Sequence, residues 1–194
     1  MIFWYFIHAN VYGQNEKKYV ILDVISHSTW GTSPIHEKCR KHNIQQVSIH
    51  HSATLTINNQ SVPRHLVSYQ NHHMKHGWMD IAYHFIIDLE GNIYQGRPID
   101  CAGDTFTSYD PSGHLLIMID GNYEEQKVSD KSWEYTEKLV NWALQEYHLT
   151  KKDVHYHKEL ASTLCPGKNL IEKIEQGIHL HDNIYYKLNY LLMK

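Results

Sequence analysis

The chain has 194 residues, 42% hydrophobic and 20% charged, with a formal net charge of -3 when histidine is neutral. That length and balance fit one globular domain and exclude a globally disordered chain. With no Lys/Arg block along it, the chain offers no electrostatic footprint for nucleic acid. The 17 histidines are more than one metal site uses, so most are core or surface residues. They make the net charge depend on pH between about 5 and 7, because free imidazole titrates near 6.5.

Residues 2–7 are an apolar run too short to cross a bilayer, with no basic segment ahead of it as a secretory signal would have. A leftover export signal and an aromatic segment packing on the domain both remain open there. No other stretch could span a membrane. Residues 19–25 (YVILDVI) read as a strand, followed by a loop around Trp30, Gly31 and Pro34. Residues 46–51 alternate, with Val47 and Ile49 on one face and Ser48 and His50 on the other, which is strand patterning. Residues 62–75 read as a helix, with Pro63 in the first turn and Gly77 past the end. Residues 83–88 and 92–96 flank the turn EGN and predict a hairpin. Residues 114–120 (HLLIMID) are continuously apolar, as in a central strand covered on both faces.

Residues 130–147 predict a long amphipathic helix with Asp130 as N-cap. Residues 154–157 predict a short strand, and 168–176 a helix after CPG. In 182–193, Ile184, Tyr185, Leu188, Leu191 and Leu192 fall at helical spacing. The expected fold is a single α/β domain with a mixed central β-sheet flanked by helices. Within it, 1–18 form an N-terminal segment, 19–177 the domain and 178–194 a helical extension packed on it. A monomer is expected.

Three residues far apart in sequence carry the chemistry: His50 at the end of a strand, and His157 and Cys165 in VHYHKELASTLCPG. Two imidazoles and a thiolate form a zinc ligand set, and three protein ligands leave the fourth position for water. An open site of that kind points to hydrolysis. His155, two before His157, shares its predicted strand face and is the best alternative ligand; a fourth protein ligand there would make the site structural. His51 should face away from His50. His36 with Glu37 begins a zincin pattern that fails at Arg40. His72, His73 and His76 read as a solvated helix face. If Cys165 holds a metal, Cys39 and Cys101 remain as a disulfide or as two free thiols.

Several motifs in order then resemble the N-acetylmuramoyl-L-alanine amidase family, which includes phage lysozyme-type amidases and the peptidoglycan-recognition proteins. They are STWG at 28–31, VSIHHSAT at 47–54, GWMDIAYHFIIDLEGNIYQGR at 77–97, the AGDT and YDPSGHLLIMIDGNYE stretches within 102–124, and HKELASTLCPG at 157–167. The resemblance covers about 28–176 and implies a zinc-floored groove holding glycan and stem peptide. It implies that His50, His157 and Cys165 bind zinc, that Tyr83 is the catalytic tyrosine and that Thr163 contacts the reacting carbonyl. Receptor-type members typically lack the cysteine ligand, which this chain keeps.

The implied activity is zinc-dependent hydrolysis of the amide between the lactyl group of N-acetylmuramic acid and L-alanine. Recognition of peptidoglycan without cleavage and recycling of anhydro-muropeptides are the alternatives. Trp78, Arg97, Asp104 and Tyr109 are expected in substrate binding, Arg97 through a stem-peptide carboxylate or else in an internal ion pair. Asp104 departs from the histidine many members carry in a GAH or GSH motif. His155 and Glu159 lie near enough in sequence to serve as a general base. The expected location is secreted, periplasmic or cell-envelope, or cytoplasmic for a phage or recycling enzyme.

Overall fold

The computed structural model describes residues 17–31 and 39–192. The apolar run at 2–7, Pro34, His36 and Glu37 lie outside the described residues. Seven strands form one sheet in the order β6-β2-β5-β3-β4-β1-β7. They are β1 (Lys18–Ile25), β2 (Gln46–His51), β3 (Phe85–Ile87), β4 (Ile93–Gln95), β5 (His114–Ile119), β6 (Val154–Tyr156) and β7 (Ile184–Leu191). All neighbours are parallel except the β3–β4 hairpin. The mixed sheet expected from the sequence is therefore present. The hairpin closes because the Asp88 carboxylate accepts from the backbone N–H groups of Glu90 and Asn92, both at 2.9 Å.

Helices cover both faces. On one side lie α3 (Asp130–Glu146) and α5 (Lys168–Glu175), over a core of Val47, Ile49, Phe85, Leu115, Ile117, Leu139 and Val140, all with 0% exposure. On the other side lie α1 (His27–Trp30) and α2 (Val62–Lys75), which pack Trp30, Val62 and Leu66 against Ile86 and Met118. β5 is buried at all six positions, as its unbroken apolar run requires.

Four local expectations are corrected. The C-terminal segment is not a helix: β7 pairs in parallel along the whole of β1, Lys18 beside Ile184 through Ile25 beside Leu191. Its Ile184, Tyr186 and Leu188 pack on the core at period two, and β-branched and aromatic residues suit a pleated surface. A short apolar run satisfies helical and strand spacing at once, and here the open edge of β1 decides. The cap of α3 is Ser129, whose hydroxyl accepts from Ser132 N–H at 3.0 Å, while Asp130 is already in the first turn. Trp30 sits in the short helix α1 rather than a loop, with its indole N–H donating to Gln95 O at 2.9 Å. Strand β6 ends at Tyr156, so His157 opens a further short helix, α4 (His157–Leu160).

Cys39 and Cys101 form a disulfide, with 5.4 Å between Cα atoms.

Tyr186 is 6% exposed and belongs to the main core, so Tyr186→Ala is expected to cost about 3 kcal/mol, read as a shift of the urea midpoint. Its failure to shift the midpoint would disprove the packing of β7. His84 is fully buried, its Nδ1 accepting from Leu116 N–H and its Nε2 donating to Cys101 O. Burial, opposed in part by the Cys101 carbonyl, lowers its pKa from 6.5 to about 3. The unfolded chain takes up that proton below about pH 6.5 and the folded chain does not, so stability falls as pH drops from 6.5 towards 3. His84→Asn, which retains an acceptor for Leu116 N–H, should lower the slope of unfolding free energy between pH 6 and 4 by about 1.4 kcal/mol per pH unit.

Candidate metal centre and groove

His50 is the fifth residue of β2, on the α2 side of the sheet, because Val47 and Ile49 take the α3 side. Parallel pairing of β2 with β6 sets Ile49 beside Tyr156, so the residues that follow, His50 in β2 and His157 just past the end of β6, are neighbours. Their ring centroids are 4.6 Å apart. Cys165 comes from the loop between α4 and α5, where its Sγ accepts from His51 N–H at 3.4 Å and lies 3.7 Å from His50 Nδ1. That loop needs Gly167: φ is +90°, and a Cβ there would meet the Tyr123 carbonyl carbon at 2.5 Å.

One ligand atom from each of His50, His157 and Cys165 lies within 4.8 Å of the others. His50 is 2% exposed and His157 7%. Burial, then the neighbouring His157, holds the His50 pKa well below the ordinary value, and burial lowers that of His157 to about 4. Both rings are neutral at ordinary pH and have a lone pair to give. Burial pushes the Cys165 thiol up to about 12, opposed by the His51 N–H, so a nearby cation would be needed to hold it as thiolate. Among the described residues, His157 Nδ1 is buried without a hydrogen-bond partner. A buried orphan nitrogen on a histidine that clusters with an imidazole and a thiol fits a metal ion held among the three.

The trio forms the floor of a cavity of about 470 Å³ that is also lined by Tyr69, His72, His73, Trp78, Tyr83, Asp104, Phe106 and Thr163. The Tyr83 ring lies 5.3 Å from that of His50. Burial, then the charge on Cys165, raises its phenol pKa above the ordinary value, so the hydroxyl stays protonated. The Thr163 hydroxyl accepts from Cys165 N–H at 3.2 Å. Trp78 and Phe106 pair at 4.2 Å to form a wall.

Two expected groove residues are elsewhere. Arg97 is 4% exposed, and its guanidinium donates to Ile81 O at 2.7 Å, to Asp80 O at 3.2 Å, to Ala102 O and to Asp104 Oδ2 at 2.7 Å. It is the internal ion pair, not a free clamp for a ligand carboxylate. Tyr109 lies behind His50, with its hydroxyl 3.3 Å from Nε2.

The alternative ligand His155 is absent from the donor cluster and lies 3.5 Å from Glu159. Glu159 accepts from Tyr156 N–H at the start of α4, and neither residue lines the cavity. His73 is buried rather than solvated, its Nδ1 accepting from Ala82 N–H at 3.1 Å. The sequence reading missed Thr107, whose hydroxyl is 2.8 Å from His157 Nε2, and Phe106, which is 61% exposed beside Trp78. An exposed aromatic in a polar loop is a signal that could have found Phe106; a lone threonine carries none.

A family model described as N-acetylmuramoyl-L-alanine amidase matches residues 40–168, a stretch that includes all three ligand candidates and Tyr83. The chain belongs to the N-acetylmuramoyl-L-alanine amidase family.

This amidase-family chain is 29% identical over 164 residues to a peptidoglycan recognition protein of Trichoplusia ni, covering 82% of this chain and 90% of that protein. It is 31% identical over 116 residues to peptidoglycan-recognition protein SC1a of Drosophila melanogaster, covering 59% of this chain and 62% of that one. Among solved structures, it is similar to the amidase LysC of Clostridium intestinale with a TM-score of 0.63 at 25% identity, over 84% of this chain and 99% of that one. Drosophila peptidoglycan recognition protein SD shares the fold with a TM-score of 0.72 at 23% identity, over 83% and 98%. The amidase-family fold thus occurs both in chains named as hydrolases and in chains named as recognition proteins.

Cys165→Ser removes the soft donor and should weaken metal uptake at least 100-fold, read by equilibrium dialysis with zinc. Unchanged uptake would place the metal elsewhere.

Proposed function

We propose that this chain is a zinc-dependent amidase cleaving the bond between the lactyl group of N-acetylmuramic acid and L-alanine of the peptidoglycan stem peptide. The observation that carries this reading is the convergence of His50, His157 and Cys165 on one point at the floor of an open cavity, with His157 Nδ1 left unpaired. A site built only to bind a glycan peptide has no need of buried donors aimed at one another. Imidazole and thiolate donors suit zinc. When bound, zinc supplies Lewis-acid polarisation of the scissile carbonyl and acidifies a water.

The side chains around the floor do the rest. Tyr83, kept protonated by burial, donates a hydrogen bond to the oxyanion of the tetrahedral intermediate. Thr163 accepts from Cys165 N–H, and its own proton serves the same oxyanion. It brings no charge, so Tyr83 carries the larger share of the side-chain stabilisation. The Trp78–Phe106 wall gives a stacking surface for a sugar or peptide face. Asp104, held by Arg97, offers a carboxylate edge to substrate N–H or O–H groups. The cavity is within the roughly 300–1,000 Å³ of small-ligand sites. The relatives' names point to peptidoglycan as the substrate class. A disulfide points to an oxidising compartment, in keeping with a secreted or cell-envelope protein. Among the described residues no helix is long and apolar enough to cross a membrane.

The deciding experiment digests purified peptidoglycan with zinc-loaded and chelator-stripped protein and reads the products by mass spectrometry. Free stem peptides beginning at L-alanine, released only with metal, are expected. Tyr83→Phe should keep zinc and lose about 100-fold in kcat. Co-sedimentation with the wall and no peptide release from either sample would replace this reading with recognition alone. Cleavage confined to soluble anhydro-muropeptides would assign recycling.

A further inference from the structure

Both ligand imidazoles turn their outer nitrogen to the same loop, residues 98–110. His157 Nε2 lies 2.8 Å from Thr107 Oγ1 and 3.4 Å from Thr105 Oγ1. His50 Nε2 lies 3.3 Å from the Tyr109 hydroxyl. Of the other two nitrogens, His50 Nδ1 is 3.7 Å from Cys165 Sγ, and His157 Nδ1 is buried without a partner among the described residues.

A neutral imidazole carries one N–H and one lone pair, and its surroundings choose which nitrogen has which. A proton on His157 Nδ1 would be buried with nothing to accept it, whereas on Nε2 it meets the Thr107 oxygen. The same choice at His50 puts the proton on Nε2, against Tyr109, and the lone pair on Nδ1. Threonine and tyrosine hydroxyls accept in this arrangement while keeping a proton for another partner.

The loop is built to hold these two hydroxyls in place. Thr105 Oγ1 bonds both the Thr107 hydroxyl at 2.8 Å and the Thr107 N–H at 3.1 Å. The Tyr109 ring stands edge-on to His157 at 5.2 Å and to His114 at 5.5 Å. His114 Nδ1 is in turn fixed by Ser48 Oγ at 2.6 Å, a residue of the same strand face as His50. At its start the loop is tied down by the Cys39–Cys101 disulfide and by Arg97, which donates to Ala102 O and to Asp104.

We propose that Thr107 and Tyr109 are positioning residues which, from a single loop, set the tautomer and the aim of the two metal-binding histidines. The inference rests on the metal-site reading above. Tyr109 does not line the cavity; Thr107 does, with its hydroxyl 2.8 Å from His157 Nε2. The loop would therefore act on zinc affinity first, which is the quantity to measure.

The test measures zinc affinity by competition with a chromophoric chelator in the parent protein, Thr107→Val, Thr107→Ser and Tyr109→Phe, with the cobalt(II) absorption spectrum of each. Thermal melting of the metal-free proteins reports whether each folds. Thr107→Val keeps the shape and removes the acceptor, and should weaken zinc binding 10- to 100-fold, a typical loss for a residue supporting a ligand. Thr107→Ser should restore it, a rescue that a merely space-filling threonine would not need. Tyr109→Phe tests the His50 side independently and should shift the cobalt d–d bands while the thiolate charge-transfer band of Cys165 persists. Parent-like zinc affinity and an unchanged cobalt spectrum in both Thr107→Val and Tyr109→Phe would overturn the inference. A parent protein that takes up neither metal would overturn the metal-site reading itself, and the inference with it, before any variant is compared.

Discussion

The lateral pairing of β2 with β6 is the constraint on which the site depends. It sets Ile49 beside Tyr156 and so brings His50 and His157 together from opposite ends of the domain. What holds the register is parity. Val47 and Ile49 are fully buried against the α3 side, and burying such a side chain is worth about 1.5–3 kcal/mol each. A slip of one residue in β2 would send both into the groove and press Ser48 and His50 into the apolar core. Both halves of that exchange are unfavourable, so the hydrophobic pattern of a short strand fixes where a polar side chain points.

The centre itself is built against local stability. Two buried imidazoles and a half-buried thiol come together, and one imidazole nitrogen has no partner among the described residues. Burial keeps both rings neutral and disfavours the thiolate. Each of these features is a cost without a cation and becomes favourable with one, because the metal accepts the lone pairs and balances the thiolate. Tyr83 is tuned by the same burial to the opposite use: its phenol is held protonated and therefore remains a donor.

Around the centre, rigidity comes from charge-assisted bonds and a covalent tie rather than from regular structure. The buried Arg97 satisfies three backbone carbonyls and the half-buried Asp104 carboxylate. It fastens the segment before Asp104 to the end of the loop that leads out of α2. The disulfide ties the segment before Asp104 to Cys39. Beneath the neighbouring part of the groove, the buried Asp120 carboxylate accepts from Ser52 and Tyr69, both at 2.8 Å, and from Thr56 at 3.0 Å. This gathers the turn after β2 and the Tyr69 side of α2 onto the end of β5. The loop walls of the cavity, which face helix α2, are thus held by polar contacts.

Much of this was legible in the chain. The alternation at 46–51, the apolar run at 114–120 and the Pro-led helix at 62–75 are local consequences of side-chain period and backbone chemistry, and the structure follows them closely. The clustering of His50, His157 and Cys165 near Tyr83 was legible through ordered motifs, because their residue types are tied to chemistry. The C-terminal strand was not, since an apolar run of that length obeys two periods and only the free edge of β1 selects one. Nor were the fates of Arg97, Tyr109 and Thr107. An arginine near a groove can bind a ligand or its own backbone, and a hydroxyl can face solvent or an imidazole. The sequence by itself determined which residues have the means for metal and amide chemistry. Only the tertiary structure decided which of them meet, because partners are chosen by strand register and loop placement over distances that no local pattern records.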